Sequence, residues 1–272
     1  MQEAEITALF HRARPSAGPC VVTPMAGASS NRLYRIACDG DDYVLRLHQA
    51  DNAFAVSRAD EHRAWQLAAE AGAAPTLLHW SDNPPFSLAR YGGESVTQPA
   101  LPALLDLLER LHRLPVKAKP LPYADLIECY LSGQQTTELD SFLRLLPVWL
   151  SSLNGSGVSP GWCHHDLHEG NLLSPEPGRL WAVDFEYAGF GHPYLDLVAV
   201  SVNWPAGRQR TLLYAYCQAR GLQANAPELK AWQGAQGIYW LLCAAWATRM
   251  PGPQARRWRV EALSQLERLN GR

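Results

Sequence analysis

The densest group of polar side chains in the chain is the stretch WCHHDLHEGNLL, at residues 162–173. A second short stretch, LWAVDFE, follows at residues 180–186. Its apolar start predicts a strand that ends at Asp184, and Leu172–Leu173 can pair with that strand as a β-hairpin. The two stretches therefore predict that Asn171 and Asp184 lie close together.

This pairing predicts a particular chemistry. A carboxylate oxygen and a side-chain amide oxygen at short range form a site that suits Mg²⁺. Phosphoryl transfer uses such a site, together with a carboxylate that accepts the proton of the attacking hydroxyl and a cation that positions the nucleotide phosphates. Asp166 precedes Asn171 by a short loop and is the candidate for the proton acceptor.

These motifs resemble a known group of enzymes. His164-x-Asp166-x-x-x-x-Asn171, followed by the run DFEYAG at residues 184–189, is similar to the small-molecule kinases with a protein-kinase-like fold. That group includes aminoglycoside phosphotransferases, choline/ethanolamine kinases and bacterial thiamine kinases, and the DFEYAG run favours the choline and thiamine kinase branch. The resemblance covers almost the whole chain.

The resemblance implies an α+β fold with two lobes and a cleft between them for ATP and Mg²⁺. Residues 1–92 would form a small nucleotide-binding lobe, an antiparallel β-sheet with one helix. Residues 93–272 would form a larger, mainly helical lobe with the catalytic loop and the acceptor site. The sequence pattern agrees, since short strands precede residue 99 and helical periodicity follows it; residues 138–153, for example, fit one helix.

Roles for the polar residues also follow from the resemblance. Asp166 would be the catalytic base, and Asn171 and Asp184 would bind the metal. His164 would be a structural member of the catalytic loop, and Asp196 would brace that loop through hydrogen bonds.

The nucleotide side of the site is expected on the strand at residues 43–47. Protein kinases place a lysine there, but Lys117 is the first lysine of this chain, so Arg46 is expected to take the role. Its planar, permanently charged guanidinium suits two phosphate oxygens. Glu61 on the following helix would be its partner, with Asp60 as the competing choice.

Two further segments complete the expected nucleotide site. The polar turn between the first two strands resembles the short phosphate loop of the small-molecule kinases, although such a turn is also common in simple hairpins. A hinge would hold the adenine through its backbone groups. The residues expected in this turn and hinge are Gly27, Ser29, Ser30, Asn31, Leu88 and Tyr91.

The acceptor is expected to be a small hydroxylated amine or thiazolium compound. Thiamine is the first choice, choline or ethanolamine the second, and an aminoglycoside the third. Glu186 could recognise a cation, or it could be a solvated acid that merely follows the strand. Aromatic side chains could stack on the substrate, although most helical aromatics belong to a core. The candidate acceptor contacts are Glu186, Tyr187, Trp204 and Trp240.

Composition argues against several other classes of protein. The net charge of -2 does not favour a nucleic-acid binder, and no apolar run has the length of a membrane span. The six cysteines form no CxxC pair and no signal peptide is visible, so a reduced, cytoplasmic protein is expected. The oligomeric state is not indicated.

Two other functions stay open at this point. The histidines 164, 165 and 168 could bind metal in a hydrolase, although this would leave Asn171 and the Arg46 strand unexplained. A non-catalytic, kinase-like binding module is the second alternative. Such modules typically lose a member of the base or metal set, whereas Asp166, Asn171 and Asp184 are all present.

Overall fold

The computed structural model describes residues 3–25, 32–48, 57–115, 121–134 and 136–271. The elements up to residue 95 are mostly strands, as the alternation of apolar residues predicts. They are α1 (Glu3–Ala13), β1 (Cys20–Met25), β2 (Arg32–Cys38), β3 (Asp41–Leu47), α2 (Arg58–Glu70), β4 (Leu77–Asp82), β5 (Pro85–Arg90) and β6 (Glu94–Ser95).

The rest of the described chain is mainly helical and carries four short strands. The elements are α3 (Leu101–His112), α4 (Tyr123–Leu131), α5 (Asp140–Leu143), α6 (Leu146–Asn154), β7 (Gly161–Cys163), β8 (Leu172–Ser174), β9 (Trp181–Ala182), β10 (Gly189–Gly191), α7 (Tyr194–Ser201), α8 (Ala206–Ala219), α9 (Ala226–Arg249) and α10 (Pro253–Asn270). This α+β architecture, with an antiparallel sheet first and helices afterwards, confirms the predicted fold class.

The described residues form two compact units. One comprises Met1–Leu111 and Glu169–Tyr187, and the other comprises His112–His168 and Ala188–Arg272. The division into lobes after residue 92 stays a prediction.

The first unit is built on a five-stranded antiparallel sheet with the order β1-β2-β3-β5-β4. Its apolar face is filled by fully buried side chains such as Ile36, Leu45 and Leu88, and α1 adds Phe10 to the same core. Arg46 follows Leu45 in β3, so its side chain leaves the opposite face of the sheet. The alternation along β3 thus places Arg46 on the face away from the core.

The predicted hairpin is present in this unit. β8 pairs antiparallel with β9, with Leu172 opposite Ala182, and β6 adds a third strand on the other side of β8. The hairpin is extended by a bond from the Val183 N–H to the Asn171 carbonyl at 3.0 Å. Asn171 is therefore held beside the residue that precedes Asp184.

The second unit packs around α9. Glycines at 234 and 237 let α6 approach it closely, because a Cβ at Gly237 would lie 2.5 Å from the Trp149 ring. The prediction of one helix over residues 138–153 is wrong, since α5 ends at Leu143 and α6 begins at Leu146. Pro147 explains the interruption, because it has no N–H and its ring clashes with the carbonyl four residues earlier.

Within the described residues, no helix has both the length and the apolar composition needed to cross a bilayer.

Candidate active site

Arg46 lies at the centre of the charged group in the first unit. Its Nη1 donates to Glu61 Oε1 at 2.7 Å, and its Nη2 lies 2.9 Å from Asp184 Oδ1. Burial works against the charge of Arg46, but the carboxylates of Asp184 and Glu61 outweigh it and raise the pKa of the guanidinium. The expected partner, Glu61, is thus the one present in the structure. The role of the pair in nucleotide binding stays a prediction.

Glu61 reaches Arg46 because of how α2 begins. Ser57 caps this helix by accepting a hydrogen bond from the Asp60 N–H at 3.3 Å. Glu61 is on the buried side of the first turn, and its second oxygen accepts a bond from Arg58 Nη1 at 2.6 Å. No role for Arg58 was expected from the sequence, although its position three residues before Glu61 places both on one helix face.

Asp184 occupies an unusual backbone conformation directly after the hairpin. Its φ is 68°, a left-handed value that aspartate tolerates better than most residues. The side chain is 30% exposed, whereas that of Arg46 is only 6% exposed. Asp184 is thus the accessible end of the charged group.

Glu186 is mostly buried in the same group. Its Oε2 lies 3.6 Å from Arg58 Nη1 and 3.9 Å from Arg46 Nη2. Burial and the charge of Asp184 raise the pKa of Glu186 to about 7, although the two arginines act in the opposite direction. The carboxyl group thus faces two internal cations, and its predicted role in acceptor recognition stays a prediction.

The other residues expected around the nucleotide are placed as follows. Leu88 is fully buried in the interior strand β5, opposite Leu45. Tyr91 follows that strand, and the guanidinium carbon of Arg35 lies 4.3 Å from the centroid of its ring. The turn with Gly27, Ser29, Ser30 and Asn31 lies outside the described residues.

In the second unit, Asp196 holds the loop that contains Asp166. The buried Asp196 carboxylate accepts bonds from the backbone N–H groups of His164 at 2.8 Å and His165 at 2.7 Å. It also lies 3.1 Å from His112 Nε2. Burial alone would raise the pKa of Asp196, but the bond from His112 and the nearby histidine charges hold it at about 2. These contacts are the ones expected of a brace.

Several members of this network had no role expected from the sequence. The Nδ1 atom of His112 lies 2.8 Å from the Tyr216 hydroxyl, so a buried chain of polar groups runs from α8 through the end of α3 to Asp196. A second link joins α4 to the loop, since the Tyr123 hydroxyl lies 3.0 Å from His165 Nε2 and accepts a bond from the His192 N–H at 2.9 Å.

Asp166 and His164 differ strongly in exposure. His164 is fully buried, whereas the Asp166 side chain is 36% exposed and lies 3.7 Å from His168 Nε2. On α9, Cys243 is hydrogen-bonded to Tyr239; burial, with a contribution from the charge of Asp166, raises the pKa of Cys243 to about 12. Tyr239 and Cys243 on α9 therefore lie within range of an electrostatic interaction with Asp166.

The aromatic acceptor candidates have different surroundings. Trp204 is 6% exposed, and the guanidinium carbon of Arg208 lies 4.0 Å from its ring centroid, so an internal cation already covers one face. Trp240 is half-buried and meets Tyr239 edge-on at 5.2 Å. Tyr187 is half-buried in the first unit. Their contact with an acceptor stays a prediction.

Within the described residues, the structure shows no metal-binding cluster of the kind that the metallohydrolase interpretation requires. Across the part of the chain that the structure describes, one group of three potential metal-binding side chains is found, formed by His112, Cys163 and Asp196. The histidines 164, 165 and 168 do not belong to it.

A comparison with known protein families identifies the family to which this chain belongs. Residues 21–238 match the phosphotransferase enzyme family. A search of curated protein sequences found no match.

Several solved structures have the same fold. A choline/ethanolamine kinase family protein from Mesorhizobium loti is 24% identical with a TM-score of 0.76, over 93% of this chain and 88% of its own. Choline kinase LicA from Streptococcus pneumoniae is 15% identical with a TM-score of 0.78, over 97% and 99%. The ADP-bound aminoglycoside phosphotransferase APH(2'')-Ib is 15% identical with a TM-score of 0.64, over 98% and 99%.

At these identities the structures establish the fold, and the family match supplies the activity class. Because that match spans most of the chain, the protein belongs to the phosphotransferase enzyme family.

Proposed function

We propose that this chain uses ATP and Mg²⁺ to phosphorylate a hydroxyl group of a small cationic metabolite. The observation that carries the proposal is the position of Arg46, 2.7 Å from Glu61 and 2.9 Å from Asp184. The cation assigned to the nucleotide phosphates is thus in contact with the carboxylate assigned to the metal. Phosphoryl transfer needs these two functions side by side.

The side chains of Asn171 and Asp184 would hold Mg²⁺. Both offer the oxygen ligands that this ion prefers. Asp184 Oδ1 lies 2.9 Å from Arg46 Nη2, but the side chain is 30% exposed, so the carboxylate keeps an accessible part for a cation. When bound, Mg²⁺ would supply neutralisation of charge on the phosphate oxygens.

The protein side chains would do the remaining work. Arg46 would orient the phosphate oxygens, while Glu61 fixes its guanidinium. Asp166 would accept the proton of the acceptor hydroxyl while the hydroxyl oxygen forms a bond to the γ-phosphorus. The bond from that phosphorus to the bridging oxygen breaks, and ADP leaves. Asp196 would keep the loop of Asp166 in place through its bonds to His164 and His165.

Structural relatives support adenine nucleotide as the phosphoryl donor. LicA has been solved in complex with AMP, with a TM-score of 0.73 to this chain, and APH(2'')-Ib has been solved with ADP. The turn with Gly27, Ser29, Ser30 and Asn31 is proposed to contact the phosphates, and the backbone at Leu88 and Tyr91 the adenine. These assignments rest on the sequence resemblance.

The acceptor is proposed as a class with two leading members. The sequence motifs favour thiamine, whereas the relatives named as choline or ethanolamine kinases favour those two amino alcohols. Tyr187 and Trp240 are proposed as acceptor contacts, and Trp204 is a weaker candidate because Arg208 covers part of its ring. A cytoplasmic location belongs to the same proposal, which includes no nucleic-acid or membrane partner.

The test is ADP release from Mg²⁺-ATP with thiamine, choline, ethanolamine and an aminoglycoside at matched concentrations. Turnover with one cationic alcohol far above the others supports the proposal and identifies the acceptor. Turnover with the aminoglycoside alone would replace the acceptor class. If Mg²⁺-ATP binds and a broad panel of alcohols gives no ADP, the chain is a nucleotide-binding module and the proposal is wrong.

A further inference from the structure

Glu61 is shared between two arginines. Its Oε1 accepts a bond from Arg46 Nη1 at 2.7 Å, and its Oε2 accepts one from Arg58 Nη1 at 2.6 Å. The Glu61 side chain is completely buried, so both contacts are made away from water. Arg46 and Arg58 therefore share the Glu61 carboxylate.

Glu186 closes the group into a ring. Its Oε2 lies between Arg58 Nη1 at 3.6 Å and Arg46 Nη2 at 3.9 Å. Arginine and glutamate thus alternate in the order Arg46, Glu61, Arg58, Glu186. Asp184 is not part of this ring. Of the four residues in the ring, Arg46 is the one that it contacts within the described part of the chain.

The ring explains an otherwise unfavourable residue. Arg58 is the first residue of α2, directly after the cap at Ser57. The N-terminal end of a helix carries partial positive charge and favours acids, so an arginine there works against the helix. Its two carboxylate contacts supply the compensation, and both are to residues that meet Arg46.

The geometry points to a positioning role for Arg58 in phosphoryl transfer, an inference that rests on the proposed function. Among the described residues, three carboxylates lie around Arg46, and its guanidinium could face any of them. By holding Glu61 and Glu186 in place, Arg58 leaves the Nη2 edge of Arg46 directed at Asp184. It would act through Arg46 and not by contact with the acceptor.

The test compares Arg58→Gln with Arg63→Gln. Arg63 lies on the same helix but is exposed and outside the ring, so it controls for the loss of one arginine from α2. We expect Arg58→Gln to raise the KM for Mg²⁺-ATP and to lower kcat, with kcat/KM reduced about ten- to a hundredfold, because misplacement of a positioning group has effects of this order. The acceptor KM should stay unchanged.

A conservative variant separates positioning from folding. Arg58→Lys supplies one ammonium where Nη1 contacts both glutamates, and it should recover most of the lost kcat/KM. If Arg58→Gln and Arg63→Gln have the same kinetics, or if Arg58→Gln lowers only the thermal stability, the inference is wrong.

Glu186→Gln gives an independent test, which also serves if Arg58→Gln does not fold. The ring predicts a higher KM for Mg²⁺-ATP and an unchanged acceptor KM. A higher acceptor KM alone would instead assign Glu186 to acceptor recognition and overturn the inference. In the double variant, the loss should not exceed that of the worse single variant, because the two side chains act on the same partner; additive losses would contradict this.

The outcomes also separate this inference from the proposed function. A wild-type protein that binds no Mg²⁺-ATP and releases no ADP overturns the proposed function, and the inference with it. Normal wild-type turnover with an unaffected Arg58→Gln variant overturns the inference alone.

Discussion

Each unit surrounds one charged side chain with several partners, but the two groups differ in their access to solvent. In the second unit, Asp196 is fully buried and all its described partners, two backbone N–H groups and His112, are internal. In the first unit, Arg46 is nearly as buried, but its partner Asp184 remains 30% exposed. The carboxylate of the closed group is engaged by internal partners, whereas the open group keeps a partly exposed carboxylate. We therefore expect the closed group around Asp196 to act as a brace and the open group around Arg46 to bind a ligand.

The largest effect should come from Asp166, the accessible residue on the braced loop. Asp166→Asn removes the proposed proton acceptor, so kcat should fall by about 10² to 10⁴-fold, the range of general base catalysis. Binding of Mg²⁺-ATP should be almost unchanged. ADP release and calorimetric titration measure the two quantities, with the exposed Asp140→Asn as the matched control. Wild-type turnover in Asp166→Asn would show that this residue is not the base.

The brace itself should matter for stability. In Asp196→Asn an amide NH₂ replaces one oxygen and leaves a buried donor without its acceptor. Loss of one partner from a buried ionic group costs about 3–5 kcal/mol, which should appear in urea unfolding, together with a lower kcat. Tyr216→Phe should cost only about 1 kcal/mol, since it removes one neutral hydrogen bond. Equal effects of the two changes would mean that Asp196 is not the centre of the network.

The open group should respond to a change that keeps the charge. Arg46→Lys can contact Glu61 or Asp184 but lacks the fork that meets both, so we expect the KM for Mg²⁺-ATP to rise on the order of tenfold. The control is Arg90→Lys, which alters an exposed pair with Asp41 at 2.6 Å in the same unit. Surface pairs of that kind contribute about 0–1 kcal/mol. An unchanged KM in Arg46→Lys would argue that charge alone suffices.

The last prediction concerns the dependence of stability on pH, to which both units contribute. Burial lowers the pKa of His48 in the first unit to about 3 and that of His192 in the second to about 4. Because the folded pKa lies below the unfolded one, the contribution to stability is complete above about pH 6.5 and is lost as the pH falls. Each histidine should contribute a slope of about 1.4 kcal/mol per pH unit between its two pKa values.

Unfolding measured between pH 7 and pH 4.5 tests this. His48→Gln and His192→Gln should each make the pH dependence less steep. If neither variant changes the slope, these two histidines are not the source of the acid sensitivity.

The sequence predicted the parts of the site that depend on local pattern. The alternation of β3 places Arg46 on the face of the sheet away from the core, helical spacing brings Glu61 toward it, and the β8–β9 hairpin holds Asn171 next to the residue before Asp184. These relations are set by strand and helix periodicity and by a short turn. They can therefore be derived without knowledge of the tertiary structure.

Unlike Arg58, the missed residues around Asp196 depend on contacts between segments far apart in the chain. His112 contacts Tyr216 and Asp196, which are 104 and 84 residues away in the sequence, and no periodicity predicts such a contact. The contact between Trp204 and Arg208 is local by comparison, since Arg208 follows four residues later and lies over the Trp204 ring. The interruption before α6 is different, because Pro147 was visible in the sequence and its effect on the helix follows from its chemistry alone.

The identity of residue 46 has a consequence for chemical labelling. Reagents that acylate primary amines can mark a nucleotide site that contains a lysine, but the guanidinium of an arginine keeps its proton and does not react in this way. The lysines of this chain are Lys117, Lys119 and Lys230, and none falls within Met1–Leu111 or Glu169–Tyr187. A lysine-directed ATP probe should therefore leave the side chains of this unit unmodified, and a survey of kinases by such labelling would find no modified peptide from it.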